Sequence, residues 1–188
     1  MQAVAQVALE QEPIAELSLD PERKYEIVNG NPEEKEMPGA RHSGIAGRVA
    51  TELGIYLKGN KLGELYPEAS FQIGGNERIP DLAFLFLERI PPEGEPETKW
   101  LLAPDIAIEV VSPNDLFGKV RIKISDYLNA GVRQVWLVVP ETREIILYRS
   151  ATDVTIFPPE SELLCEDLLP GFRLPLGEVF KNPAQPAK

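Results

Sequence analysis

The sequence lacks several features that define common classes of protein. It has one cysteine among 188 residues, so an internal disulfide is excluded and a reducing compartment is expected. No apolar run approaches the roughly 18 residues that span a bilayer. Residues 1–13 have neither the basic region nor the long apolar region of a secretory signal. We therefore expect a cytoplasmic protein with no membrane partner.

Three familiar catalytic arrangements are also missing from the sequence. It has no glycine-rich phosphate loop, no Ser-His-Asp ordering and no Cys/His spacing typical of zinc. The only histidine, His42, opens a predicted helix, where a capping or exposed role competes with a role near a site. Cys165 has no neighbouring base, and we interpret it as inert.

Basic residues are scarce relative to acidic ones. There are 19 Lys and Arg against 30 Asp and Glu, which gives a formal net charge of -11. Proteins that hold nucleic acid usually carry a basic footprint, so the overall composition argues against a nucleic-acid enzyme. The hydrophobic fraction of 43% is that of an ordinary soluble globular protein.

The length suits one domain, and the pattern of the chain predicts an α/β fold. We expect an N-terminal arm (1–22), a domain (23–182) and a disordered tail (183–188). A hairpin around Asn29-Gly30 precedes a helix over 40–58. Two hairpin strands over 64–73 and 78–87 come next.

A β-α-β unit follows, with a strand over 105–111, a helix over 115–130 and a strand over 134–139. Such a unit implies a parallel pair of strands with a right-handed crossover. Because the preceding strands form an antiparallel meander, the sequence predicts a mixed β-sheet flanked by helices.

Two of the apolar strands each carry one carboxylate, Asp81 and Glu109. Burying an unpaired carboxylate costs several kcal/mol or forces it to neutralise, so both residues need an explanation. Asp81 lies near the start of its strand and Glu109 near the end of the next one. If these strands are antiparallel neighbours, both carboxylates lie at the same end of the sheet. Two hard oxygen ligands suit Mg²⁺ or a similar ion.

Lys123 lies at the margin of the apolar stripe of the following helix. Its stem can run along apolar surface while its ammonium extends beyond the sheet edge. A cation there can orient an attacking water or stabilise charge on a phosphoryl oxygen. Glu26 and Glu52 are possible accessory acids. The stripe itself contains Leu116, Val120, Ile124, Tyr127 and Leu128.

Each of these residues also has an ordinary structural explanation. Asp81 can belong to a strand-entry turn, Glu109 can be a buried ion-pair partner, and Lys123 can be a solvated helix residue. A second Pro-Asp pair, Pro104-Asp105, competes for the role of Asp81. It lies about 13 Å from Glu109 at strand rise, too far to share an ion.

Taken together in this order, the motifs resemble the Uma-type restriction endonuclease family of the PD-(D/E)XK nuclease superfamily, once catalogued as a domain of unknown function. The resemblance covers roughly Tyr25 to Phe180. The matching motifs are KYEIVNG near the N-terminus, RH at 41–42, PD at 80–81, PDIAIEVVSP at 104–113, K-x3-Y at 123–127, AGV at 130–132, QVWLVVP at 134–140 and the closing LPGFRLPL.

The resemblance implies a restriction-endonuclease-like fold and Mg²⁺- or Mn²⁺-dependent cleavage of DNA. Asp81 and Glu109 would hold the ion together with the backbone carbonyl of Val110. Val111 stands where the superfamily signature has a lysine, and Lys123 matches the position to which this family's lysine is thought to have moved. The resemblance also suggests a homodimer, because such nucleases often cut two strands with two copies.

Two other functions stay open at this point. One is a catalytically silent scaffold that binds partners or a second copy, which the acidic charge and an outward-facing Ile122 favour. The other is a hydrolase of nucleotides or small phosphoesters, which reconciles an acidic surface with a phosphoryl-transfer site.

Overall fold

The structure is a computed structural model, and it describes residues 19–184. Most of the predicted N-terminal arm and the last four residues of the predicted tail lie outside this range. Within it, no helix is long and apolar enough to cross a membrane.

The secondary structure alternates strands with two long helices and one short one. In chain order the elements are β1 (Tyr25–Val28), β2 (Asn31–Glu34), α1 (Ala40–Asn60), β3 (Gly63–Pro67), β4 (Phe71–Ile73), β5 (Asn76–Arg78), β6 (Leu82–Phe86), β7 (Ile106–Val110), α2 (Phe117–Asn129), β8 (Gln134–Val139), β9 (Glu144–Tyr148), β10 (Val154–Phe157), β11 (Glu162–Leu164), β12 (Arg173–Pro175) and α3 (Leu176–Val179).

A six-stranded sheet with the order β10-β9-β8-β7-β6-β3 forms the centre of the molecule. Strands β7 and β8 are parallel and the other neighbouring pairs are antiparallel. Both central strands are almost continuous apolar runs, as expected for strands covered on both faces. The predicted mixed sheet flanked by helices is therefore confirmed.

Helix α2 makes the crossover between β7 and β8. It begins at Phe117, two residues later than predicted, because Asp115 accepts the backbone N–H of Ser112 and closes a turn instead of capping the helix. Leu116 therefore lies outside the helix and is 66% exposed, so its predicted place in the buried stripe was wrong. The chain leaves the helix at Gly131, whose φ of 89° is one that glycine adopts without strain.

The predicted hairpin over 64–87 is divided between two sheets. Its inner parts, β4 and β5, pair within a second sheet of order β2-β1-β5-β4, whereas its outer parts, β3 and β6, pair in the central sheet. The chain bends at Glu68, which has a φ of 49°, and again at Pro80-Asp81. Asp81 therefore lies in the bend just before β6.

The two long helices cover opposite faces of the central sheet. Helix α1 buries Ile45, Val49, Leu53 and Leu57 on one side, and α2 buries Ile124 and Tyr127 on the other. Ala83 and Ala107, which share faces with Asp81 and Glu109, belong to the α2 side.

Candidate active site

A cavity of about 370 Å³ opens at one end of the central sheet, at its junction with the second sheet. Strand β1, helix α1, the bend before β6, the end of β7 and helix α2 all contribute to its wall. The predicted site residues among its lining are Glu26, His42, Asp81, Glu109, Val110 and Lys123.

The strand register explains why the two predicted carboxylates face the same cavity. Strands β6 and β7 are antiparallel, and Leu82 pairs with Ile108. One residue beyond this pair stand Asp81 and Glu109. Facing positions of an antiparallel pair have Cβ atoms about 4.5–5.5 Å apart. The expected antiparallel arrangement of the two strands is thus present.

Asp81 is held by three donors, although only 5% of its side chain is exposed. Oδ1 accepts from Lys35 Nζ at 2.9 Å. Oδ2 accepts from the Val110 N–H at 2.8 Å and lies 3.0 Å from His42 Nε2. Burial alone would raise the pKa of Asp81, but the His42 hydrogen bond, the Lys35 charge and the Val110 N–H outweigh it and hold the pKa far below its usual value.

The contact with Asp81 also changes the pKa of His42. Its hydrogen bond to Asp81 raises its pKa, burial works against this, and the Asp81 charge and the Val110 backbone add to the increase. Of the two competing interpretations of His42, the structure favours a position beside the site.

Lys123 links two carboxylates on the wall of the cavity. Its Nζ lies 2.8 Å from Glu109 Oε1 and 2.9 Å from Glu26 Oε1. Tyr127, one turn further along α2, donates its hydroxyl to the same Glu109 oxygen at 2.6 Å. The ammonium of Lys123 thus lies at the end of the sheet, a position that the helical pattern allowed.

Burial and mutual charge together set the pKa values of Lys123 and Glu109. Burial would lower the pKa of Lys123, but the Glu109 and Glu26 charges raise it above its usual value, so the ammonium stays protonated. Burial raises the pKa of Glu109, and Lys123 only partly offsets this increase. Burial also raises the hydroxyl pKa of Tyr127 well above its usual value, so Tyr127 acts as a hydrogen-bond donor.

Arg78 braces the acid that holds Lys123. Its guanidinium contacts Glu26 Oε2 at 2.8 Å and forms a close ion pair with Asp126 on α2. The remaining oxygen of Glu26 accepts the Ile79 N–H at 2.9 Å. Glu26 is therefore fixed on three sides.

Two residues considered from the sequence lie elsewhere. Glu52 does not line the cavity, because it follows His42 by ten residues on α1, about 15 Å at 1.5 Å per residue. Asp105 pairs with Arg89 at 2.9 Å and accepts the Phe86 N–H at 3.0 Å. It braces the start of β7 and does not line the cavity.

The donor set at Asp81 and Glu109 fits a hard divalent cation. Within residues 19–184 no group of three His, Cys, Asp or Glu side chains is arranged to hold a metal. An ion here would therefore have two carboxylates, a backbone carbonyl and water as ligands. Mg²⁺ is commonly bound by one or two carboxylates while it keeps several waters.

The comparison with protein families decides the classification. A family model described as "Uma2: Putative restriction endonuclease" matches residues 11–177. The chain belongs to the Uma2 family. The family resemblance inferred from the motifs is thereby confirmed. A search of curated proteins found no match.

Solved structures lead to the same fold. Five chains match, including the crystal structure of a protein described as a putative nuclease of the DUF820 family from Anabaena variabilis ATCC 29413. It shares 25% sequence identity with this chain, has a TM-score of 0.77, and the match covers 86% of this chain and 92% of that one. The Uma2 protein thus has a restriction-endonuclease-like fold.

Sequence reasoning missed two charged residues of this Uma2 site. Lys35 stands in the run EEKE, which resembles any solvated turn. Arg78 is almost fully buried in a predicted strand, and a buried arginine requires acidic partners. That requirement was a usable signal, whereas nothing in the sequence distinguishes Lys35.

Proposed function

We propose that this Uma2 protein is a metal-dependent endonuclease that hydrolyses DNA phosphodiester bonds. Asp81, Glu109 and the Val110 carbonyl would hold Mg²⁺ or Mn²⁺. The ion, when bound, would stabilise charge on the phosphoryl group and lower the pKa of an attacking water.

Lys123 has a restricted role in this proposal. Because its pKa is raised by Glu109 and Glu26, it stays protonated and does not accept a proton from water. It can donate a hydrogen bond to the attacking water or to a phosphate oxygen. Glu26 holds the ammonium in place, and Arg78 holds Glu26.

One observation carries the proposal more than any other. Lys123 Nζ lies 2.8 Å from Glu109 Oε1, although Lys123 stands on a helix and not at the usual position of the superfamily's lysine. Three chain segments distant in sequence thus place an aspartate, a glutamate and a lysine around one cavity. The family and the similar fold support a nuclease.

A specific observation favours a second candidate, a hydrolase of small phosphoesters. Glu33, Glu34, Glu36 and Asp115 line the mouth of the cavity, and the whole chain has a net charge of -11. An acidic rim opposes a long polyanion more than it opposes a short phosphodiester. The same carboxylates and lysine would serve either substrate.

The test is cleavage of supercoiled and single-stranded DNA with Mg²⁺ or Mn²⁺, beside bis(p-nitrophenyl) phosphate. Lys123→Met should lower the rate by about 100-fold, because the donor that we propose for the attacking water or a phosphate oxygen is lost. Lys119→Met is the matched control. Lys119 lies one turn earlier on α2 and lines the same cavity, but it is 69% exposed and its only ion pair among the described residues is with Glu33.

The outcomes separate the candidates. Cleavage of DNA that Lys123→Met abolishes and Lys119→Met preserves supports the nuclease. Cleavage of the small diester alone supports the second candidate. Absence of metal-dependent cleavage of both substrates rejects both and favours the catalytically silent scaffold. Light scattering during size-exclusion chromatography tests the homodimer that we propose for cutting two strands.

A further inference from the structure

Lys35 contacts the site from a direction that the mechanism above does not use. It follows β2, and its ammonium donates to the Ile79 carbonyl at 2.7 Å and to Asp81 Oδ1 at 2.9 Å. Only 15% of its side chain is exposed, and it lines the cavity. Of the three lysines that line the cavity, Lys35 therefore contacts Asp81 and Lys123 contacts Glu109.

The hydrogen bonds of Asp81 determine how a further ligand can approach it. Oδ2 already accepts from the Val110 N–H and contacts His42. Within residues 19–184 Oδ1 accepts from Lys35 alone, so a cation bound by Asp81 must use the oxygen beside the Lys35 ammonium. Two positive charges a few ångströms apart repel strongly in a partly buried site.

The second carboxylate is arranged differently. Lys123 and Tyr127 both contact Glu109 Oε1, and among the described residues no hydrogen bond or ion pair reaches Oε2. Lys123 also has a second acidic partner in Glu26. Lys35, in contrast, has only a neutral carbonyl as its other partner in the part of the chain that the structure describes, so it is the lysine that a bound cation would displace.

We propose that Lys35 competes with the divalent cation for Asp81 and that its released ammonium then contacts a phosphate oxygen of the substrate. In the metal-free protein the Lys35 ammonium balances the negative charge of the Asp81 carboxylate. This inference rests on the proposed function, since it takes Asp81 as a metal ligand.

The experiment measures the affinity for Mn²⁺ alone by electron paramagnetic resonance of the free ion, and then DNA cleavage at saturating Mn²⁺. Lys35→Met should bind Mn²⁺ roughly tenfold more tightly, equivalent to about 1.4 kcal/mol, and should cleave roughly tenfold more slowly. Lys35→Gln removes the charge but keeps an N–H donor, and it carries the test if the methionine variant does not fold.

Lys119→Met controls for the loss of any positive charge at the cavity, and its Mn²⁺ affinity should stay within about twofold of wild type because it is solvated. A residue that only braces the bend at Ile79 would weaken Mn²⁺ binding when replaced. Unchanged or weaker Mn²⁺ binding in both Lys35 variants therefore overturns the competition, and unchanged cleavage overturns the substrate contact.

Failure of the metal site itself gives a different result. Wild-type protein that binds no Mn²⁺, or binds it equally well as Asp81→Asn, rejects the proposed ligands and, with them, the role of Lys35.

Discussion

The chain contains the same Pro-Asp pair twice, and the two copies have different surroundings. Asp81 and Asp105 are both buried, and each accepts a backbone N–H and pairs with a cation. Asp81 faces a cavity beside Glu109, whereas Asp105 is enclosed at the opposite end of β7. The two copies thus differ in that Asp81 has a second carboxylate, Glu109, beside it on the neighbouring strand, and the role that we propose for Asp81 depends on that neighbour.

The first way to test this contrast is to remove each charge and measure cleavage. Asp81→Asn should lower the rate of metal-dependent DNA cleavage by about 1000-fold, because a ligand and its charge are lost. Asp105→Asn should retain most of the wild-type rate at temperatures where it is folded. Similar losses in both variants would remove the distinction between the two dyads.

Stability without metal should follow the same order. Asp81→Asn removes a carboxylate whose pKa, in spite of burial, is held far below its usual value by the His42 hydrogen bond and the Lys35 charge, so it should lower the free energy of unfolding by about 1–3 kcal/mol. Asp105→Asn should cost less, because its partner Arg89 is 34% exposed and still donates to the Ala103 carbonyl. Urea unfolding of both variants measures the difference, and a larger loss for Asp105→Asn would contradict it.

The smallest expected effect is a pH dependence of the free energy of unfolding. It arises from the His42 contact of Asp81, whereas Asp105 pairs with an arginine. Contact with Asp81 raises the pKa of His42 above its ordinary value of 6.5. The stability from this pair is complete below pH 6.5 and disappears as pH rises through the raised pKa. In metal-free buffer, His42→Gln should thus lower the free energy of unfolding more at pH 6 than at pH 9.

The control for this pH effect is the same substitution combined with Asp81→Asn. Without the carboxylate the two pH values should give equal losses. A loss that grows with pH would show that neutral His42 is the stabilising form.

The sequence predicted the fold best where a local pattern of apolar residues defines a strand or a helix. The apolar run in 105–111 and the helical spacing before Gly131 predicted the β-α-β unit and allowed the reach of Lys123, because these depend on local sequence patterns. The division of the long hairpin between two sheets was not predictable in this way. It depends on the positive φ of Glu68, a conformation more typical of Gly, Asn and Asp, so a glutamate at this position gives no local signal of the bend.

The site shows the same limit. Asp81 and Glu109 stood out because charges are rare in apolar strands, whereas Lys35 is surrounded by other charges in the sequence. Its importance depends on a fold that brings residues 46 positions apart into contact. Pairings of this kind are set by topology and leave no local signal.

The ion pair between Glu26 and Lys123 joins residues separated by 97 positions, and it lies where the two sheets and α2 meet. The loop-closure entropy of contacts so distant in sequence must be lost before they stabilise the fold, so we expect them to form late in folding. Catalytic activity would therefore appear only after both sheets are assembled. In a refolding experiment, recovery of cleavage would report completion of the whole domain, whereas helix formation measured by circular dichroism would recover earlier.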